Sequence, residues 1–252
     1  MRLVYLGTPP AAVPPLQALV GAGHDVALVV SRADAKRGRG GALTPSPVKA
    51  AALDLGLPVT ERVDDLLELD PPAELGVVVA FGRLIKPHVL ERLPMVNLHF
   101  SLLPRWRGAA PVERAILAGD AETGVCVMDV EEGLDTGAVH ARATVGIGPE
   151  ETAEELRARL TEAGIPLLLD VLDRWPATRA TAEPQQGETT YAGKLDPAEL
   201  ELDWSEPPAS LHARIRIGGA WTTHAGRRLK VHRAHLDGGT LVFDEVQPEG
   251  KA

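Results

Sequence analysis

"VNLHFSLLPRWRGAAPVERAI", residues 96–116, holds a strand, an abrupt break and the start of a helix. Val96 to Phe100 reads as a buried strand, apolar except for Asn97 and His99. Pro104 and Gly108 interrupt it, and "APVERAILAG" follows as a helix with Pro in its first turn and Gly just past its last. An apolar strand leading straight into a helix belongs in a parallel sheet covered on both faces. Asn97 and His99 are two apart, so on a strand their side chains point the same way. They fall near the strand's C-terminal end, where open α/β sheets place their ligands.

The same alternation continues outward. "RLVYLGT", "DVALVVS" and "LGVVVAFG" read as strands, and "PPLQALVGAG", "PVKAAALDLG" and "KPHVLERL" as helices. After residue 120, "TGVCVMDVEEGLDTGAVHARATVGI" reads as two strands around a Gly-rich turn, an antiparallel addition to the sheet edge. Thr152 and Glu155 form a capping box that opens a long amphipathic helix. "PATRATAEPQQGETT" is polar, Pro-containing and aperiodic, which predicts a linker. The domain expectation is 1–180, a linker over 181–190, and a segment of short strands over 191–252. No internal repeat is visible.

Composition excludes several classes. The 252 residues can bury one substantial core plus a small satellite, and 44% hydrophobic with 24% charged residues is ordinary globular usage. The apolar runs are too short to span a bilayer, and "MRLVYLGTPP" opens as a strand without signal-peptide layout, so the cytoplasm is the expected compartment. The single cysteine, Cys126, rules out an internal disulfide and reads as a small buried hydrophobe. The net charge of −9 argues against a wholesale nucleic-acid coat but leaves room for a local basic patch. "GTPPAAV" lacks the glycines of a dinucleotide fingerprint, "GRGG" lacks the Lys-Ser/Thr of a P-loop, and no G-x-S-x-G is present. His232 and His235 would face opposite ways on a strand, so no metal site is expected.

An amide carries two fixed N–H donors, and an imidazole donates or accepts near neutral pH. Asn97 and His99 together can therefore bind a developing oxyanion and move a proton, given a carboxylate to support the imidazole. Asp135 in "EEGLDTG" supplies one at the sheet edge. Taken alone, an N-x-H pair more often satisfies buried backbone groups, and an aspartate in a Gly-rich turn is more often a plain turn residue.

"NLHFSLLPRWRGAAP", followed by "GDAETGV" and "GLDTG", resembles the signature of the 10-formyltetrahydrofolate-dependent formyltransferases. The similarity runs through "GTP", "GRGGALTPSPVK", "AFGRLI" and the capping-box helix, and resumes in "YAGKLDPAELELDWS" and "VQPEGK". It implies an α/β fold with a doubly wound, mostly parallel, Rossmann-like sheet and a small β-barrel-like C-terminal domain, here truncated. It implies a catalytic trio of Asn97, His99 and Asp135, with Asp135 holding His99. The co-substrate, 10-formyltetrahydrofolate, is expected against Phe81, Gly82, Leu84 and Ile85 and against Ser101, Leu102, Leu103 and Pro104. No metal is implied. The expected acceptor is the free amine of initiator methionyl-tRNA, bound by a monomer with no membrane contact. A small amine such as an amino-sugar nucleotide, or a non-catalytic folate- or tRNA-binding role, stands as the alternative.

The segment "SRADAKRGRGGALTPSPVK" bears on the acceptor. Between 33 and 49, four cations (Lys36, Arg37, Arg39 and Lys49) stand against Asp34 alone. The resemblance implies a loop that enters the acceptor stem, with Arg39 at the key position and Arg37 beside it. Over 191–252 eight Lys and Arg face nine Asp and Glu, so only "RIRIGGAWTTHAGRRLKVHR" offers a second basic surface, through Arg227, Arg228 and Lys230.

Overall fold

The computed structural model describes residues 1–37, 41–175 and 177–250. In chain order the structure opens with β1 (Arg2–Gly7), α1 (Val13–Gly21), β2 (Asp25–Val30), β3 (Ala35–Arg37), β4 (Ala42–Thr44), α2 (Pro47–Asp54), β5 (Val59–Thr60) and β6 (Leu75–Val79). It continues with α3 (Pro87–Leu90), β7 (Met95–His99), β8 (Arg107–Gly108), α4 (Pro111–Leu117), β9 (Glu122–Asp129), β10 (Val139–Gly146) and α5 (Ala153–Asp173). The remainder holds α6 (Ala177–Ala180), β11 (Tyr191–Ala192), α7 (Pro208–Arg216), β12 (Trp221–His224), β13 (Arg227–Asp237) and β14 (Thr240–Pro248).

The main sheet has seven strands in the order β10-β9-β7-β6-β1-β2-β5. The five strands from β7 to β5 are parallel; β9 runs antiparallel to β7, and β10 antiparallel to β9. The expected antiparallel addition is therefore present at the edge. Leu3 and Tyr5 of β1 are buried in one apolar cluster, with Leu16, Leu98, Leu156 and Leu160, while Val4 and Leu6 are buried in another with Val30, Val89 and Met95. Both faces of the strand are covered, so its sequence is apolar without alternation. The chain leaves β1 toward β2 and β5, then returns to place β6 on the other side of β1. That reversal puts a crevice outside the C-terminal ends of β1 and β6.

Helix α5 begins at the capping box read from sequence: the Thr152 hydroxyl accepts from Glu155 N–H, and the Glu155 carboxylate accepts from Thr152 N–H. Gly164 lies mid-helix, where glycine costs about 1 kcal/mol relative to alanine. A Cβ there would stand 2.9 Å from Leu98 Cδ1 and 3.0 Å from Val125 Cγ2, so the gap brings α5 down onto β7 and β9. Two elements are shorter than their sequences suggest. "KPHVLERL" gives only the four residues of α3, since the chain must leave helical geometry before Pro94. "LGVVVAFG" stops being strand at Val79, because Ala80 and Gly82 adopt φ of +46° and +73° and turn the chain across the end of the sheet.

The C-terminal unit is a three-stranded antiparallel sheet, β12-β13-β14, with α7 on one face. Leu211 and Ile215 of α7 pack with Val231 and Ala234 of β13. Three strands are too few to close, which leaves the second face of this truncated barrel open. Arg216 donates to the backbone carbonyls of Glu151 and Gly148, and His212 lies 2.9 Å from a Glu150 carboxylate oxygen, tying the unit to the start of α5.

The segment 181–190 departs from the expected linker. Glu183 bridges Val139, Thr190 bonds Pro104, Trp106 and Arg107, and Ala192 accepts from Ala109 and Ala110. Its polar residues look like linker in sequence because their partners are backbone groups of segments far away in the chain.

Candidate active site

Strand β7 delivers Asn97 and His99 to one wall of a cavity of about 500 Å³ at the C-terminal end of the sheet. Pro9 and the turn Ala80–Ile85 form the side toward the β1/β6 crevice, and Glu131–Asp135 close the opposite side. His99 is buried, with 6% of its side chain exposed, and Asp135 is nearly so at 15%. Among the described residues the Asn97 amide makes no hydrogen bond within the protein, so its donors remain available to whatever fills the cavity.

The cationic break after β7 acquires a physical purpose here. Arg105 forms a two-pronged pair with Asp120 (Nε to Oδ2, 2.9 Å) and stacks over the Trp106 ring, whose indole N–H donates to the same carboxylate at 2.8 Å. Burial works to raise the Asp120 pKa, but the Arg105 and Trp106 hydrogen bonds outweigh it and hold the carboxyl below its usual value. The lock keeps Trp106 at φ +62°, a left-handed conformation that a bulky side chain rarely adopts. Held this way, the Trp106 carbonyl lies 3.0 Å from His99 Nε2. A carbonyl only accepts, so Nε2 carries a hydrogen, and in the uncharged tautomer this leaves Nδ1 as the acceptor.

Asp135 meets His99 at ion-pair distance, without a hydrogen bond between them. Asp135 Oδ2 lies 3.7 Å from His99 Nδ1, beyond hydrogen-bonding range, and accepts instead from the Gly108 N–H at 2.7 Å. Asp135 itself has φ +50°. The Gln185 amide nitrogen donates to the carbonyls of Asp135 and Gly137, each at 2.8 Å.

Of the residues expected to meet the folate, Phe81, Gly82, Leu84 and Ile85 line the cavity, and Ser101, Leu102, Leu103 and Pro104 do not. Ser101 is spent inside the turn, donating to the Arg105 carbonyl at 2.6 Å. Leu103 is buried with Cys126, Met128 and Val139, and Leu102 packs where a Cβ on Gly124 would go. These four build the turn that aims Trp106. Burial pushes the Cys126 thiol's pKa up, as suits the small buried hydrophobe expected there. His232 and His235 have separate partners, Gln247 and Asp244.

A family model described as formyl transferase matches residues 1–172. The chain belongs to the formyl transferase family. It is 48% identical over 244 residues to the methionyl-tRNA formyltransferase of Roseobacter denitrificans, covering 92% of this chain and 79% of that enzyme. It is 42% identical to that of Symbiobacterium thermophilum, over 100% of this chain and 89% of the relative. The latter alignment runs over 293 positions, 41 more than this chain contains. Among solved structures, the methionyl-tRNA formyltransferase from Clostridium thermocellum superposes with a TM-score of 0.70 at 19% identity, covering 98% of each chain. An N-formyltransferase from Helicobacter canadensis, in complex with folinic acid and dTDP-3-aminofucose, gives 0.71 at 18% identity over 93% of this chain and 87% of its own. At these identities the structures speak for the fold.

The basic residues fall into place unevenly. Arg39 lies outside the described residues, and Arg37 is placed only by its backbone in β3, which pairs antiparallel with β4 as a hairpin. Lys49 is not a free cation of this hairpin: it pairs with Asp34 at 2.7 Å and Glu61 at 3.6 Å, pinning the hairpin's base to α2. In the C-terminal sheet Trp221 pairs with Lys230 and Thr223 with Arg228, so Arg228 and Lys230 share the open face, and Arg228 lies 4.0 Å over the Trp221 ring. Arg227 points to the other face, which divides the expected cluster. Sequence reasoning missed three participants: the Trp106 carbonyl, the Gly108 N–H and Gln185. The first two are backbone groups and carry no side-chain signal. Gln185 sits in a stretch whose composition resembles a linker.

Proposed function

We propose that this chain transfers the formyl group of 10-formyltetrahydrofolate to the free amine of initiator methionyl-tRNA. The observation that carries this reading is the wall on which Asn97 and His99 face one cavity, with the Asp135 carboxylate close behind. The cavity's volume suits a folate-sized ligand, and its apolar flank, Phe81, Leu84 and Ile85, suits a flat heteroaromatic ring. The reaction joins the acceptor nitrogen to the formyl carbon and breaks that carbon's bond to the folate N10.

In the proposed mechanism the Asn97 amide donates to the formyl oxygen as it gains charge. His99 Nδ1 takes the proton lost by the attacking amine and returns it to N10 as that nitrogen leaves. During this interval the ring is an imidazolium, bound at Nε2 by the Trp106 carbonyl and steadied at Nδ1 by the Asp135 charge. No net proton is lost or gained.

The acceptor reading rests on two basic surfaces: the β3–β4 hairpin and the open sheet face with Trp221, Arg228 and Lys230. The proposed setting is the cytoplasm, with the chain acting as a monomer. Formyl transfer measured with methionyl-tRNA and with an amino-sugar nucleotide tests the choice. Transfer to the tRNA that weakens steeply with salt supports it, whereas transfer to the small amine alone overturns it.

A further inference from the structure

Gln185 lies in the segment whose sequence reads as linker, yet every polar valence of its side chain is used. Its Nε2 donates to the backbone carbonyls of Asp135 and Gly137, each at 2.8 Å. Its Oε1 accepts from Arg107 Nε at 3.0 Å and Nη2 at 2.7 Å. Carbonyls only accept and a guanidinium only donates, so this set of partners fixes the amide's orientation. Arg107 adjoins Gly108, whose N–H binds the Asp135 carboxylate, and Asp135 is held at a φ that a non-glycine residue rarely adopts. Gln185 thus joins the two segments whose separation sets the distance from Asp135 to His99. The backbone around it repeats the connection, with Glu183 paired to Val139 on one side and Thr190 and Ala192 bonded to Arg107, Ala109 and Ala110 on the other.

We infer that Gln185 is a positioning residue for formyl transfer, acting through Asp135, and that residues 183–192 are a strap that completes the active site. The inference rests on the catalytic reading of Asp135. A ligand-free surface role does not account for the geometry, because a glutamine meeting only solvent would not converge on two carbonyls of one turn and one guanidinium. The amide must donate twice and accept twice, which neither a carboxylate nor a methyl can do.

The test compares wild type, Gln185→Ala, Gln185→Glu, Asp135→Asn and the Gln185→Ala/Asp135→Asn double variant, in the full chain, by single-turnover rate, folate KM and thermal midpoint. A positioning role predicts that both Gln185 variants lose about 10²-fold in rate, as small displacements of catalytic groups do, with folate KM within about threefold. Gln185→Glu keeps the volume and the Arg107 contact but replaces the two donated hydrogen bonds with an anionic oxygen set against two carbonyls. Because Gln185 acts through Asp135, the double variant should be no slower than the slower single variant. Wild-type turnover by folded Gln185→Glu, or losses that multiply in the double variant, would overturn the inference. Wild-type turnover by Asp135→Asn would overturn the underlying reading of Asp135, a result distinct from either.

Discussion

His99 Nδ1 and Asp135 Oδ2 stand 3.7 Å apart, close enough for charge to matter and too far for a hydrogen bond. The imidazole is oriented instead by the Trp106 carbonyl, and the carboxylate by the Gly108 N–H. In Ser-His-Asp enzymes the aspartate sets the histidine tautomer, and replacing it with asparagine costs about 10⁴ in rate. Here the tautomer has a different keeper.

The consequence is a milder loss in Asp135→Asn. The variant removes the charge that steadies the imidazolium but leaves the Nε2–H tautomer in place. Turnover at saturation should fall about 10²-fold, in the range set by loss of one electrostatic contact to the transition state. Folate affinity, measured by titration, should change little. A collapse of folate affinity with turnover preserved would make Asp135 a binding residue.

The C-terminal sheet makes a prediction about tRNA. Arg228 and Lys230 share the open face with Trp221, and Arg227 faces away. Arg228→Ala and Lys230→Ala should each raise the KM for methionyl-tRNA and reduce the salt slope by up to about 0.9, the value of one phosphate contact. Arg227→Ala should leave both near wild type. Equal effects from all three would show that the sheet's faces do not sort the contacts.

Acid stability has a local contributor in Glu199. Its hydrogen bond from the Arg114 side chain, together with the backbone N–H of Asp196, lowers its pKa from 4.5 to about 2. A depressed carboxyl contributes stability that is present above its unfolded pKa and disappears as pH falls through the folded one. The pair is partly exposed, so the contribution is modest. Glu199→Gln should therefore lower the thermal midpoint at neutral pH slightly, with the gap from wild type closing between about pH 4.5 and pH 2. A gap that widened on acidification would contradict the assignment.

Much of the fold is legible in the sequence because burial on both faces leaves an unmistakable mark. β1, β2, β6 and β7 are apolar runs between helices, and Thr152 and Glu155 announce α5. Asn97 and His99 can be found because they interrupt such a run at the end where ligands bind. What supports them is harder to read. Ser101 to Pro104 stand out by their place in the motif, but the sequence does not show that they build the turn that aims Trp106. Gln185 is hidden for the opposite reason: a glutamine bonded to distant backbone carbonyls has the same composition as one in solvent. The division of Arg227 from Arg228 follows from strand register, which the charges alone do not specify.

In the proposed mechanism Asn97 and His99 carry formyl transfer at this cavity. The most direct test is the single-turnover rate of formyl transfer from 10-formyltetrahydrofolate to methionyl-tRNA by folded His99→Ala, beside Asn97→Ala. Loss of the Asn97 donor should cost about 10²–10³ in rate, and loss of His99, which removes the proton carrier, should cost more than that. Near wild-type transfer by a folded His99→Ala variant would contradict the account.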